Sequence, residues 1–277
     1  MKKVKDVVDP ISEYKRLSQK LSNNFNATNV LYTKYSNKIG GFASSQNSEA
    51  NSLLNAFRYR HDCILFHLKC MLNLQLVAEK QYKSLSNDSD RIMFAVSVVP
   101  EFSGLFDSII FHSVSGFDYC AHLIDFICNN RLNKDRKWAG IIEAAKNKSI
   151  DFNKSSVATL LVKLDDEFIK FLKLRRNQVI HYEPDTATSS SLTNLRTHQN
   201  SLEVIAPRQM IDKIPSLKIM SETHELTMVF ASCWMIDRVY DLYADIIAEL
   251  VNHVDHNRKT ISGHTFFRDN NGNFHEI

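Results

Sequence analysis

The residues best suited to chemistry in this sequence stand close together, at the end of one predicted helix. They are Arg175, Arg176, Asn177, His181 and Tyr182. A histidine that titrates near neutral pH can give or take a proton, and a guanidinium meets phosphate oxygens with paired hydrogen bonds. Asn177 and His181 are four positions apart, so they share a helix face on which the amide can orient the imidazole. These residue types suit metal-free cleavage of a phosphodiester, in which a 2′-hydroxyl loses a proton and a 5′-oxygen gains one.

The same residues carry a resemblance to a known family. The motif Arg176-Asn177-x-x-x-His181 resembles the signature of the HEPN superfamily, an Arg followed by a polar residue and then by a His, with four to six residues between the Arg and the His. Chance produces the tight form Arg-Asn-x-x-x-His only about 0.04 times in a chain of this composition. In that superfamily the motif ends a long helix of an all-α bundle. Many members are metal-independent endoribonucleases of toxin–antitoxin, abortive-infection and other defence systems.

The resemblance implies a role for each residue of the motif. It implies that Arg176 stabilises charge on the phosphate, that His181 acts as general acid or base, and that Asn177 orients His181. Arg175 and Tyr182 are the candidate substrate-binding residues beside them. Members of the family typically dimerise, so that two motifs meet in one cleft. The resemblance therefore implies an RNA substrate, a homodimer, a possible antitoxin or regulatory protein, and no metal or cofactor.

Other interpretations of these residues remain open. In the toxin branch of the family a Tyr often follows the His by two positions, whereas here Tyr182 is adjacent and Pro184 follows. This modest departure leaves open an alternative, a non-catalytic HEPN-like module that binds RNA, a nucleotide or a protein partner. Arg175 and Tyr182 fall on the apolar stripe of their helix, where Arg175 needs a partner and Tyr182 can simply pack. Arg60 and His67 also fit the loose Arg-to-His spacing, in the middle of another predicted helix.

Charge is distributed unevenly along the chain, although the formal net charge is only +3. Residues 131–176 carry 12 basic and 6 acidic side chains, whereas residues 221–257 carry 1 basic and 7 acidic ones. The acidic side chains include a row with four-residue spacing on the last predicted helix: Asp237, Asp241, Asp245 and Glu249. Such a row predicts a solvated face or a contact with the basic segment, and oxygen-rich faces of this kind rarely hold a metal. It also leaves open a third function, a structural subunit whose acidic helix docks on a basic partner.

Apolar spacing predicts long helices over most of the chain. The predicted helices cover residues 1–22, 49–85, 101–128, 137–146, 155–182 and 222–253. Residues 23–48, rich in Asn, Ser and Thr, and the polar residues 185–200 are predicted loops. Residues 201–205 are a predicted strand, and an Asn-Gly between aromatic residues near the C-terminus predicts a hairpin. The predicted fold is all-α, an up-and-down bundle of four to five long helices with a small irregular or β insertion before the last helix.

Composition bounds the class of protein. The chain has 277 residues, of which 44% are hydrophobic and 23% charged, and only 7 Gly and 5 Pro. These values exclude collagen-like, low-complexity and turn-dense all-β chains. The apolar run at residues 226–236 is too short to span a membrane, the start lacks an apolar signal region, and the 5 Cys form no C-x-x-C pair. We therefore expect a reduced, cytoplasmic protein without a membrane partner, divided into a helix and loop (1–45), a HEPN-like bundle (46–255) and a tail (256–277).

Overall fold

Helices make up most of the chain, as the apolar spacing predicts. The structure is a computed structural model, and it describes residues 3–7, 9–42, 44–129, 136–147, 156–181, 191–193, 202–256, 266–268 and 274–276. The helices are α1 (Pro10–Lys38), α2 (Ser44–Ser84), α3 (Asp88–Asn129), α4 (Trp138–Lys146), α5 (Ser156–Leu164), α6 (Lys170–His181), α7 (Arg208–Ile211), α8 (Pro215–Thr223) and α9 (Met228–His256). The strands pair in twos: β1 (Lys3–Lys5) with β4 (His224–Leu226), β2 (Ser191–Thr193) with β3 (Leu202–Val204), and β5 (Phe266–Arg268) with β6 (Phe274–Glu276). The predicted all-α helical bundle is confirmed.

The long helices α2 and α3 form a hairpin at the centre of the bundle, and α3 and α9 supply most of its largest buried side chains. Those side chains are Phe102, Phe106, Phe117, Phe126, Tyr240 and Tyr243. The prediction that the second of these helices starts after Pro100 is wrong. The helix α3 begins at Asp88, where Asn87 accepts a hydrogen bond from the N–H of Asp90 (2.8 Å), and continues through Pro100. Pro100 lies at the exposed surface, so water can bond the carbonyl that loses its helical partner.

The first and last long helices, α1 and α9, run parallel to each other in a constant register. Three ion pairs join residues that are 221 positions apart: Arg16 with Asp237 (2.7 Å), Lys20 with Asp241 (2.7 Å) and Lys34 with Asp255 (2.6 Å). The parallel strands β1 and β4, which precede these helices, pair Lys3 with His224 in the same register. The N-terminal segment is therefore part of the same packed body as the last helix.

The predicted loop at residues 23–48 is wrong, because α1 and α2 occupy most of it. Its polar residues join a helix since packing gives them partners. Asn24 is buried and donates to a backbone carbonyl of α9 (2.9 Å), and the buried Thr28 hydroxyl donates to the carbonyl of Asn24 (2.8 Å). The chain turns between the two helices at Gly40 and Gly41, whose φ angles of 76° and 98° suit glycine.

The last helix starts later in the chain than the sequence predicts. The last helix was expected to start at residue 222, but α8 and β4 precede it, and it begins at Met228. The hydroxyl of Thr227 accepts a hydrogen bond from the N–H of Phe230 (3.1 Å) and so caps the helix start. The predicted strand at residues 201–205 is confirmed as β3. It pairs with β2, which lies inside the predicted loop at residues 185–200. The predicted C-terminal hairpin is confirmed by the antiparallel pair β5 and β6.

One described helix, Asp88–Cys128 within α3, is long and apolar enough to cross a membrane by length and composition. Within its most apolar stretch 33% of the residues are buried inside the protein. A core helix of a soluble bundle has the same features, and α3 carries several of the core's largest side chains. The helix is therefore only weak evidence for a membrane span and is compatible with a soluble protein.

Candidate functional site

The predicted site lies at the end of one continuous helical segment. The helices α5 and α6 are joined by a π-helical turn, Asp165–Ile169, so the chain stays helical from Ser156 to His181. This matches the predicted helix at residues 155–182 to within one residue at each end. Its buried face carries Val157, Leu161, Leu164, Phe168, Leu172 and Arg175. This buried face packs α6 against α3 and so sets the orientation of the end of α6, where the motif lies.

The two neighbouring arginines of the motif have different surroundings. Arg175 is only 5% exposed, and its guanidinium lies 3.6 Å from a carboxylate oxygen of Asp107 on α3. This confirms the expectation that Arg175 points inward and needs a partner. Arg176 is half-buried, and its Cζ lies 5.5 Å from the centroid of the Phe111 ring, one turn further along α3. Arg176 has no carboxylate partner among the described residues, so its charge is available to a ligand.

Asn177 faces a different part of the surface from Arg176. It is exposed and lines an open pocket of about 630 Å³ between α4 and the α5–α6 segment. Apolar side chains, lysines and carboxylates line the pocket together, among them Ala139, Ile142, Leu174, Lys146, Lys170, Lys173, Glu143 and Asp165. Apolar side chains beside a small number of polar and charged groups are the composition of a small-molecule site. Arg176 and Asn177 therefore do not meet in one cavity of a single chain.

The remaining predicted site residues lie at the edge of the described chain. His181 is the last residue of α6, and its side chain lies outside the described part of the structure. Tyr182 lies outside the described residues altogether. Arg176 and His181 are five positions apart on a helix, about 140° around its axis, so they do not project together from one straight helix.

A second group of residues that could take part in chemistry, Arg60, His67 and His112, is connected to Arg176 through the ring of Phe111 on α3. The guanidinium of Arg60, on α2, donates to Nδ1 of His112 (3.3 Å), and the rings of His112 and His67 stack with centroids 5.3 Å apart. The Cζ of Arg60 lies 6.0 Å from the centroid of Phe111, the ring that Arg176 also covers. The sequence offered the spacing of Arg60 and His67 as a signal, but nothing in it linked that pair to His112 or to Arg176.

Both histidines of this group are weak bases in the folded protein. Burial, together with the neighbouring His67 ring and the Arg60 charge, lowers the pKa of His112 to about 4. Burial also lowers the pKa of His67. Because a guanidinium has only donors, Nδ1 of His112 must accept, and the proton of the neutral ring sits on Nε2. The pair thus presents neutral imidazole next to a fixed positive charge.

Among the described residues, the ion pairs of the acidic row on α9 are formed with α1 and not with the basic segment at residues 131–176. Asp237 binds both Arg16 (2.7 Å) and Lys20 (2.6 Å), and Asp241 binds Lys20 (2.7 Å). Asp245 is exposed to solvent. Within the part of the chain that the structure describes, no group of His, Cys, Asp or Glu side chains has the arrangement of a metal site. The row therefore contributes to helix packing.

Comparison of this chain with models of protein families, with curated proteins and with solved structures gave no match in any of the three.

Proposed function

We propose that this protein is a metal-independent endoribonuclease of the HEPN type, with Arg176, Asn177 and His181 as catalytic residues at a homodimer interface. The observation that carries the proposal is the environment of Arg176. Its guanidinium rests on Phe111 without a carboxylate partner among the described residues, whereas Arg175, one position earlier, is buried beside Asp107. An arginine that is oriented but not neutralised is suited to binding a phosphate.

The proposed reaction uses only protons and positive charge from the protein. A base takes the proton of the ribose 2′-hydroxyl, and the resulting oxygen attacks the adjacent phosphorus. The bond from phosphorus to the 5′-oxygen breaks, and an acid gives that oxygen a proton. Arg176 stabilises the charge that builds on the non-bridging oxygens. The products are a 2′,3′-cyclic phosphate and a free 5′-hydroxyl, and no metal or cofactor takes part.

The chemistry favours a site built from two copies of the chain. One motif supplies one histidine, whereas the reaction needs one group that takes a proton and another that gives one. The separation of about 140° between Arg176 and His181 around the helix is a second reason. Two α6 ends that meet in one cleft would supply two histidines, and each arginine would lie near the histidine of the partner subunit.

The test is cleavage of a mixed RNA pool in the presence of EDTA by purified wild-type protein and single variants. We expect His181→Ala and Arg176→Ala to lose at least about 100-fold in rate, the size of effect typical for an acid–base or charge-stabilising group. Matched controls are His224→Ala and Arg208→Ala, which remove a histidine bonded to Thr223 and an arginine paired with Glu225. The controls should cut like wild type, and the cut ends should carry cyclic phosphate.

Each other result has a definite meaning. If His181→Ala cuts RNA as fast as wild type, the proposed site is wrong. If wild type forms a saturable complex with RNA that stays intact, the non-catalytic binding module replaces the nuclease. The pocket beside Asn177 is the candidate site for a nucleotide in that case, since apolar side chains and Lys173 line it together.

We propose a role in toxicity or antiviral defence for the same reason as the activity, the resemblance of the motif. Induced expression in bacteria should slow growth with the wild-type chain and leave growth normal with His181→Ala. Equal growth of the two strains at equal protein levels would count against this role without affecting the result of the cleavage assay.

A further inference from the structure

Two guanidiniums from different helices share one aromatic ring, and no carboxylate among the described residues neutralises either of them. Arg60 on α2 and Arg176 on α6 lie 6.0 and 5.5 Å from the centroid of Phe111 on α3. The Nε atoms of both are buried without a hydrogen-bond partner in the described part of the chain, and neither arginine has an ion pair there. Like charges held on one ring repel each other, and a bound anion removes that repulsion. The arrangement therefore fits a negatively charged ligand between α2 and α6.

The stacked histidines extend the same site along α2. His67 lies two helical turns after Arg60, and its Nδ1 is buried with no hydrogen-bond partner among the described residues. Nε2 of His112 carries the proton of that ring, because Nδ1 accepts from Arg60. Arginine and imidazole donors next to each other suit the oxygens of a phosphate, which accept several hydrogen bonds at once.

Exposed aromatic side chains flank these donors. Tyr59 and Phe66 directly precede Arg60 and His67 in the sequence, and they are 61% and 60% exposed. They are seven positions apart, two turns of α2, and therefore lie on one face of that helix. Exposed rings beside cations are the combination by which proteins hold single-stranded nucleic acid, because bases stack on the rings while the backbone meets the charges.

We propose that Arg60, His67, His112 and Arg176 around Phe111 bind the phosphodiester backbone of single-stranded RNA, with Tyr59 and Phe66 as stacking surfaces for its bases. The site is assembled from α2, α3 and α6 of one chain, so it does not depend on the dimer. The choice of RNA as ligand rests on the proposed function. Arg176 belongs to both sites, but binding can be measured apart from cleavage because His181 is not one of the binding residues and Arg60 is not one of the catalytic residues.

The test is binding of a fluorescent single-stranded RNA of mixed sequence to the full-length His181→Ala protein, measured by anisotropy, so that cleavage does not interfere. Into this background Arg60→Met is introduced, which keeps the long side chain and removes the charge. Arg58→Met is the matched control, since Arg58 lies two positions earlier on α2 but bonds Asn29 and covers Phe25 of α1. We expect Arg60→Met to weaken binding at least tenfold. We also expect the slope of log affinity against log salt concentration to fall by about 1, the loss of one phosphate contact. Arg58→Met should bind like its parent.

A second pair of variants tests the stacking surface. Phe66→Ser should weaken binding about fivefold or more, as expected for loss of one stacked base. Val77→Ser is its control, because Val77 is 63% exposed on the same helix but is remote from the cations in sequence. Both positions are exposed, so neither change should alter the thermal unfolding temperature. A duplex RNA of the same length should compete poorly, since its bases are not available to the rings.

The results distinguish this site from the proposed function. Unchanged binding by Arg60→Met, an equal loss in Arg58→Met, or no saturable binding by the parent would overturn the site. If the parent binds as expected but wild type does not cut RNA, the binding site stands and the nuclease proposal fails. If Arg60→Met in the wild-type background binds and cuts like wild type, the site fails and the nuclease proposal stands.

Discussion

His61 should make the folded protein lose stability in mild acid, and His61→Leu should remove the part of that loss that comes from the buried His61 ring. The His61 ring is fully buried and packs against Phe57, Tyr240 and Tyr243. Neither ring nitrogen has a hydrogen-bond partner among the described residues. Because the site cannot solvate a charge, burial lowers the pKa of His61 from 6.5 to about 3.

The sign and size of the effect follow from that pKa. Between the unfolded pKa of 6.5 and the folded pKa of about 3, the unfolded chain binds a proton that the folded chain does not. Stability is therefore complete above the unfolded value and falls as the pH drops through this window. Each pH unit costs about 1.4 kcal/mol, so the loss by about pH 5 is roughly 2 kcal/mol.

Urea unfolding at about pH 7 and about pH 5, followed by tryptophan fluorescence, measures this loss. A change of roughly 2 kcal/mol moves the urea midpoint by roughly 0.7–1 M. His61→Leu, a side chain of similar size without a titrating group, should reduce the loss of stability between the two pH values by roughly 2 kcal/mol. The loss that remains comes from other groups such as His112 and His67, whose pKa burial also lowers. His224→Leu, at the protein surface, should keep the wild-type shift. If His61→Leu and wild type lose equal stability between the two pH values, the reasoning about the buried ring is refuted.

Three further predictions concern residues of α3. Gly116→Ala should destabilise the fold by about 1–3 kcal/mol, because its new Cβ would lie 2.5 Å from the hydroxyl of the fully buried Tyr243. Gly104→Ala, on the same helix, has open space around the new Cβ and should stabilise the fold by about 0.5–1 kcal/mol. Thermal unfolding of both variants and of wild type measures the two changes. Asp107→Leu should cost about 2 kcal/mol or more, because it removes the carboxylate beside the buried Arg175 guanidinium, and adding Arg175→Met should recover most of that cost. Failure of the double variant to recover stability would show that the ion pair is not the cause.

Features that depend on neighbours in sequence were predictable. The segment from Ser156 to His181 has apolar residues at helical spacing, and Pro184 disfavours helix before it. The same spacing put Arg175 on the buried stripe and implied a partner, which Asp107 supplies. The identity of that partner was not predictable, because it lies on another helix.

Features that depend on packing were missed or misjudged. The Asn- and Thr-rich residues after position 22 have weak helix propensity, and their helix is stabilised by contacts such as that of Asn24 with α9. The group formed by Arg60, His67 and His112 was missed for the same reason. Sequence spacing relates Arg60 to His67, but only the pairing of α2 with α3 brings His112 to them.

Ion pairing differs between the two arginines beside Phe111 and most of the other described arginines, and this difference supports a ligand site around Phe111. Most arginines whose side chains are described form an ion pair with a carboxylate: Arg16, Arg91, Arg136, Arg175, Arg208 and Arg238. On α3 the chain places Asp107 beside Arg175, yet one turn later it offers Arg60 and Arg176 an aromatic ring instead. A carboxylate at that position would neutralise both guanidiniums and would also repel any phosphate. A ring orients the two charges without neutralising them, which suits an anion that comes from outside the chain.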